Sequence, residues 1–141
     1  MKAFVGLSLA VLTGAALAQS EPQTASGQDA VPPSVNGAII MYRGSSIVGA
    51  AVACPIRYKN YQIVELGRGK YAEWSVPAGR YILGNGTTSV EVNVAPGERR
   101  YIRCQIKMGM LSGRADLQIV DEENFAQHRA DYAQKQVTSP F

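Results

Sequence analysis

The segment 87–108 constrains the fold of this chain more than any other. Apolar and polar residues alternate along 89–94 and again along 101–108, with Pro96-Gly97 between the two runs. A period of two is expected when one face of a β-strand is buried, and proline followed by glycine favours a tight turn. We therefore predict a hairpin of two strands, with Cys104 on the buried face of the second.

Further short strands are predicted on both sides of this segment. Glycine, proline and asparagine recur as turn signals about every ten residues, a spacing typical of β-sandwiches and barrels. The sequence therefore predicts a mainly β fold, a seven- to eight-stranded antiparallel β-sandwich with one C-terminal helix, occupying residues 37–136. The other predicted strands are 37–43, 49–58, 61–66, 70–76, 80–83 and 115–120.

The C-terminal helix is predicted over 122–134. Asp121 is a suitable N-cap, and the acidic residues that follow it oppose the positive end of the helix dipole. Phe125 and Tyr132 recur at helical spacing. We expect both aromatic side chains to pack on the sandwich or across its end, and the tail 137–141 to be loose.

The N-terminus has the pattern of a secretory signal peptide over residues 1–18. Lys2 precedes an almost wholly apolar stretch, and Ala16-Leu17-Ala18 fits the small-x-small cleavage pattern. The alternative, a membrane anchor, is disfavoured because the apolar stretch is shorter than the roughly 20 residues needed to span a bilayer. We predict cleavage after Ala18, no membrane span in the mature chain, and a periplasmic or secreted location.

Residues 19–36 are predicted to form a flexible linker, since they are rich in Gln, Ser, Pro, Ala and Thr and have few large apolar side chains. The whole chain has a formal net charge of +3. Its basic residues are scattered, without a run or interleaved aromatic residues, so nucleic acid is not an expected partner.

Cys54 and Cys104 are the two cysteines of the chain, and the alternation places both on buried strand faces. In an exported protein such a pair favours a disulfide. The bridge would close a loop of about 50 residues and stabilise the fold by about 4 kcal/mol in the chain-entropy model. The alternative is two buried free thiols that act as small hydrophobic side chains.

Several short motifs follow one another along the predicted strands. In order, they are Tyr42-Arg43, Glu65-Leu66, Gly69-Lys70-Tyr71, Val76 to Gly79, Pro96-Gly97 with Tyr101-Ile102, and Leu117 with Val120 to Glu123. Together they resemble a bacterial family of exported domains of unknown function, many of them lipoproteins. The resemblance implies a small sandwich of the prealbumin or carboxypeptidase-regulatory type, and it implies no catalytic residues. This chain departs from the family in having no cysteine for lipid attachment after the apolar stretch.

The outward face of the second hairpin strand is the candidate ligand or partner surface. Tyr101, Arg103, Gln105 and Lys107 alternate with the buried residues there. Aromatic residues and arginine are enriched at interfaces. The alternative is that strands simply favour tyrosine and that arginines keep an outer face solvated.

Catalytic and metal-binding patterns are weak in this sequence. Nucleophilic catalysis needs a base beside a nucleophile, and His128, the one histidine, lies in the predicted helix with no linked partner. One histidine and two core-facing cysteines do not make a tetrahedral metal site. We therefore predict a protein that is not an enzyme and needs no cofactor.

Two functional hypotheses remain. The first is a non-enzymatic interaction or structural module of the cell envelope, whose partner is an envelope protein or a cell-wall component. The second is a binding protein for a small ligand, a glycan or a peptide, that uses the face of Tyr101 and Arg103.

Overall fold

The computed structural model describes residues 35–141, which form two β-sheets packed face to face. The predicted β-sandwich is confirmed, whereas the predicted signal peptide and nearly all of the predicted linker lie outside the described residues. A short helix, α1 (Glu122–Ala126), and a 3-10 turn (Arg129–Asp131) precede the last strand. The strands are β1 (Gly37–Arg43), β2 (Cys54–Tyr58), β3 (Tyr61–Leu66), β4 (Lys70–Val76), β5 (Gly79–Gly84), β6 (Ser89–Val94), β7 (Arg99–Met108), β8 (Gly113–Val120) and β9 (Ala133–Gln134).

One sheet has five strands in the order β8-β7-β1-β4-β9, and the other has four in the order β3-β2-β5-β6. Most neighbours are antiparallel, as predicted, but β1 pairs with β7 and β4 pairs with β9 in parallel. Alternation of apolar residues shows that a strand has a buried face, but it does not reveal the direction of the neighbouring strand.

The predicted hairpin over 87–108 is wrong in its pairing. Both strands exist, but β6 lies in the four-stranded sheet and β7 in the five-stranded sheet. Pro96-Gly97 therefore carries the chain from one sheet to the other, in a turn closed by a hydrogen bond from the Glu98 N–H to the Ala95 carbonyl. Two strands that face each other across a core have the same alternation as two strands side by side, so the pattern could not distinguish them.

A disulfide joins Cys54 of β2 to Cys104 of β7, with 6.6 Å between the two Cα atoms. It links the two sheets through the core, which confirms the predicted pairing. Both cysteines are buried, as the alternation predicts. The largest fully buried side chains of the core between the sheets include Ile39, Met41, Ile56, Ile63, Leu66, Trp74, Leu83 and Ile102.

The C-terminal helix begins where it was predicted but ends after five residues. Asp121 caps it by accepting a hydrogen bond from the Asn124 N–H. After the 3-10 turn the chain becomes extended, because the free edge of β4 offers backbone partners. The Ala133 N–H donates to the Gly69 carbonyl and the Lys135 N–H to the Tyr71 carbonyl. A helix continued to residue 134 would forgo these bonds.

The tail, expected to be loose, is bound along the side of the sandwich. The Thr138 N–H donates to the Ile63 carbonyl of β3, and the Trp74 indole N–H donates to the Ser139 hydroxyl. Phe141 stacks on Trp74 with ring centroids 5.7 Å apart. The tail thus spans the opening between β4 of one sheet and β3 of the other.

Candidate functional site

The predicted ligand face on β7 is partly covered by the C-terminal segment, residues 121–134, which contains α1, the 3-10 turn and β9. Tyr101 is only 5% exposed, because the Phe125 ring of α1 lies over it with centroids 5.6 Å apart. Arg103 is half-buried, whereas Gln105 and Lys107 are exposed. Tyr101 is therefore not accessible to a ligand while the C-terminal segment is in place, and a ligand role for the other three residues stays a prediction.

The C-terminal segment covers the outer face of the five-stranded sheet and forms a second, smaller core. Phe125 packs against Tyr42 at 5.1 Å between centroids and against Tyr71 at 5.6 Å. The Tyr42 hydroxyl donates to the Asn124 side chain, and the Arg129 guanidinium lies over the Tyr71 ring. This face therefore packs its tyrosines in a buried cluster instead of presenting them to solvent.

Burial of Tyr42 also changes its chemistry. Removal of the phenol from water raises the pKa of Tyr42 to about 12, and the nearby Arg103 guanidinium opposes this shift. Burial likewise raises the pKa of Tyr132, a tyrosine of the C-terminal segment that belongs to the same cluster. Both rings therefore remain neutral at physiological pH, as expected of packing residues.

The outer face of the four-stranded sheet, in contrast, holds an open groove of about 530 Å³. Its depression follows from the register: Gly84 of β5 lies between Arg57 of β2 and Ser89 of β6. Gly84 has no side chain and Ser89 a short one, so two adjacent positions of the outer face are nearly empty. A volume of several hundred Å³ is in the range of small-molecule sites.

Basic and apolar side chains border this groove. Arg57, Lys59 and Arg80 supply three cations, and Ile82, 52% exposed, supplies an apolar wall. Arg80 pairs with Glu91 at 2.7 Å, and this partner raises the pKa of Arg80. Within the described part of the chain, Arg57 and Lys59 form no ion pair. The groove therefore has an excess of positive charge beside an apolar surface.

Lys59 has an unusual backbone conformation at the edge of the groove. It lies in the turn between β2 and β3 with φ of 54°, the left-handed region that favours glycine or asparagine. A two-residue hairpin turn favours positive φ at its first central position, and lysine is less suited to that conformation than glycine or asparagine. Its ammonium also lies 5.2 Å from the centroid of the Tyr58 ring.

Sequence reasoning missed this groove because its residues come from three separate strands and a turn. The available signal was modest: Arg57, Arg80 and Ile82 occupy outward positions, and Gly84 interrupts the outward row. Which outward residues become neighbours depends on strand order, and β2 lies next to β5 in the sheet although two strands separate them in sequence.

The cysteines and the histidine of this chain are not arranged as a nucleophile beside a base. Cys54 and Cys104 are joined to each other. The His128 Nδ1 lies 3.6 Å from an Asp131 carboxylate oxygen, and both side chains are largely exposed. Among residues 35–141 no cluster of three or more His, Cys, Asp or Glu side chains is arranged to hold a metal ion.

Within the described residues 35–141, no helix has the length and apolar character to cross a membrane.

Comparison with known proteins gave no relative: no protein-family model, no curated protein and no solved structure matches the chain.

Proposed function

We propose that this protein is an exported, non-enzymatic binding module of the cell envelope, and that the groove over Gly84 binds an anionic ligand. The observation that carries the proposal is the placement of Arg57, Lys59 and Arg80 around an apolar wall on the sheet face that the C-terminal segment leaves open. Cationic side chains recognise carboxylates and phosphates by charge-assisted hydrogen bonds. The exposed Ile82 suits the apolar face of a sugar ring or a peptide side chain.

The ligand class is an acidic glycan of the cell wall first, and an acidic peptide second. The groove is open to solvent, which suits a chain-like ligand that lies along the sheet. The resemblance to exported domains of unknown function, which we retain as a proposal, implies no catalytic residues and leaves the ligand open.

Export is supported by the disulfide between Cys54 and Cys104, since such bridges persist in oxidising compartments. The pattern of residues 1–18 supports it independently. N-terminal sequencing of the mature protein from a periplasmic or secreted fraction is expected to begin at Gln19. An intact N-terminus, or recovery only from the cytoplasm, would contradict the proposed export.

Calorimetric titration with acidic cell-wall fragments tests the groove. We expect Arg57→Gln and Arg80→Gln each to weaken binding by at least about tenfold, because a hydrogen bond to a charged group contributes about 1.5–3 kcal/mol. Lys59→Gly should weaken binding while leaving the fold as stable or slightly more stable, since it relieves the left-handed backbone. Binding should also weaken as salt is raised.

The chain offers a matched control in Arg99→Gln. Arg99 is exposed and pairs with Glu73 at 3.2 Å, just as the exposed Arg80 pairs with Glu91. Arg99, however, lies on the other sheet. This variant should bind as the wild type does. Equal losses for Arg80→Gln and Arg99→Gln would place the site outside the groove. If neither acidic glycans nor acidic peptides bind at millimolar concentration, the proposed ligand class is wrong.

A further inference from the structure

The hairpin between β7 and β8 ends in an apolar turn that points into solvent. The turn is closed by a hydrogen bond from the Gly109 N–H to the Ser112 carbonyl, 2.9 Å long. Met110 and Leu111 occupy its two central positions, and both residues are fully exposed to solvent. Those positions are usually taken by glycine, proline, asparagine or aspartate. Two large apolar side chains at the tip of a turn therefore do not arise from turn chemistry.

A second loop at the same end of the sandwich also exposes apolar side chains. Ile47 and Val48, in the connection between β1 and β2, are 78% and 54% exposed. Val48 lines the same cleft as Ile106 of β7, which places the loop beside the hairpin. With Met108, these side chains form what we call the apolar tip: Ile47, Val48, Met108, Met110 and Leu111.

The loop is held firmly against the hairpin. The Arg43 guanidinium is buried and donates to the carbonyls of Gly49, at 2.6 Å, and Val52. Gly49 packs so closely on Ile106 that a Cβ at this position would lie 2.3 Å from the Ile106 Cγ2 atom. A buried arginine and a close glycine contact thus hold the loop in a conformation that leaves Ile47 and Val48 outside.

Two basic side chains lie beside the projecting turn. Lys107 and Arg114 flank the turn and line a cleft of about 210 Å³ together with Thr87 and Thr88. Lys107 pairs with Asp116 at 2.6 Å. Arg114 forms no ion pair within residues 35–141 and is exposed.

Arg68 adds a further cation near this end of the sandwich. The backbone beside it holds the start of the Ile47 loop, since the Gly69 N–H donates to the Gly44 carbonyl. Arg68 is exposed, and its charge is close enough to lower the pKa of Arg43. A projecting apolar turn with cations behind it matches the surface of an anionic membrane, which offers acyl chains below a layer of phosphates.

We propose that the apolar tip docks the protein on an anionic phospholipid surface. Met110 and Leu111 enter the interface between headgroups and acyl chains, Ile47 and Val48 follow at its edge, and Arg114 contacts lipid phosphates. A stable interface between proteins requires about 20–30 residues on each side, whereas this surface is a narrow projection of five apolar side chains. The shape and the charge therefore both favour a lipid surface, and the docking is independent of ligand binding in the groove.

Vesicle flotation with the mature protein tests the docking. We expect binding to vesicles of phosphatidylcholine mixed with phosphatidylglycerol and much weaker binding to phosphatidylcholine alone. Met110→Ser and Leu111→Ser should each reduce partitioning by about tenfold, because each removes an apolar side chain from the interface. Arg114→Gln should reduce binding to the anionic vesicles by about fivefold. Since these side chains are exposed, the thermal midpoint should not change.

Ile119→Ser is the matched control, because Ile119 is an exposed apolar residue on β8 away from the tip. This variant should float with vesicles as the wild type does.

A Leu111→Trp variant should show a blue-shifted fluorescence emission on anionic vesicles, against the background of the buried Trp74. The proposal is overturned if the tip variants float as well as the wild type, or if the wild type does not bind anionic vesicles. It is also overturned if sedimentation shows a dimer that Met110→Ser and Leu111→Ser dissociate.

Discussion

One outer face of this sandwich is covered by protein, whereas the other is open to solvent. The face of the five-stranded sheet carries Tyr42, Tyr71 and Tyr101, and the C-terminal segment buries all three beneath Phe125. The face of the four-stranded sheet carries charged side chains and the exposed Ile82, and none of the described residues covers its groove. A sheet face rich in tyrosine can therefore be a second core, and the functional candidate lies on the face that remained open.

The burial patterns of single strands express this difference. All seven residues of β1, Gly37–Arg43, are buried, because this strand is covered on both of its faces. Along β5, Gly79–Gly84, the interior side chains Tyr81 and Leu83 are buried, whereas Arg80 and Ile82 are exposed. A strand with near-continuous apolar character is expected where both faces are covered, and alternation is expected where one face meets water.

The disulfide joins the two sheets that carry these faces, and its removal should have the largest effect on stability. A Cys54→Ala and Cys104→Ala double variant should lose about 4 kcal/mol in the free energy of unfolding, because the bridge closes a loop of about 50 residues. Urea denaturation of the variant and of the oxidised wild type measures the difference. A loss below about 1 kcal/mol would mean that the two sheets associate without help from the bridge.

Phe125→Ala compares the two faces directly. It should lower the free energy of unfolding by about 3 kcal/mol, since Phe125 is buried among the tyrosines of the covered face. Ile82→Ala on the open face should change stability by no more than about 0.5 kcal/mol. Denaturant unfolding of both variants measures this contrast. If Phe125→Ala is as mild as Ile82→Ala, the C-terminal segment is not a stabilising cover.

A smaller effect is expected from Tyr42→Phe, which removes the hydroxyl hydrogen bond to Asn124 and should cost about 1 kcal/mol at neutral pH. Burial raises the folded-state pKa of Tyr42 to about 12, above its ordinary value of 10.0. Its contribution to stability is therefore complete below pH 10 and is lost as the pH rises through 12.

Thermal unfolding between pH 8 and 12 checks this sign. Tyr42→Phe should flatten the decline in stability above pH 10, whereas Tyr61→Phe, at an exposed position, should retain the wild-type decline. An identical decline in Tyr42→Phe and the wild type would show that Tyr42 does not contribute to the alkaline loss of stability.

Some of the molecule could be predicted from the sequence, because it depends on local patterns. Alternation along 89–94 and 101–108 located β6 and β7 and placed Cys104 inside. Asp121 located the start of α1 by its capping chemistry. The disulfide was favoured over two free thiols because both cysteines point inward and the chain has an export signal pattern. Burial of one strand face and capping of a helix involve neighbouring residues, so sequence spacing is sufficient to reveal them.

Only the tertiary structure decided which strands and faces meet. The two strands around Pro96-Gly97 face each other across the core instead of pairing, and the segment after Ala126 becomes extended because β4 offers a free edge. The same long-range assembly buries Tyr101 and gathers Arg57, Lys59 and Arg80 around one groove. Sequence periodicity determines which side of a strand is apolar, but packing between distant segments determines what that side touches.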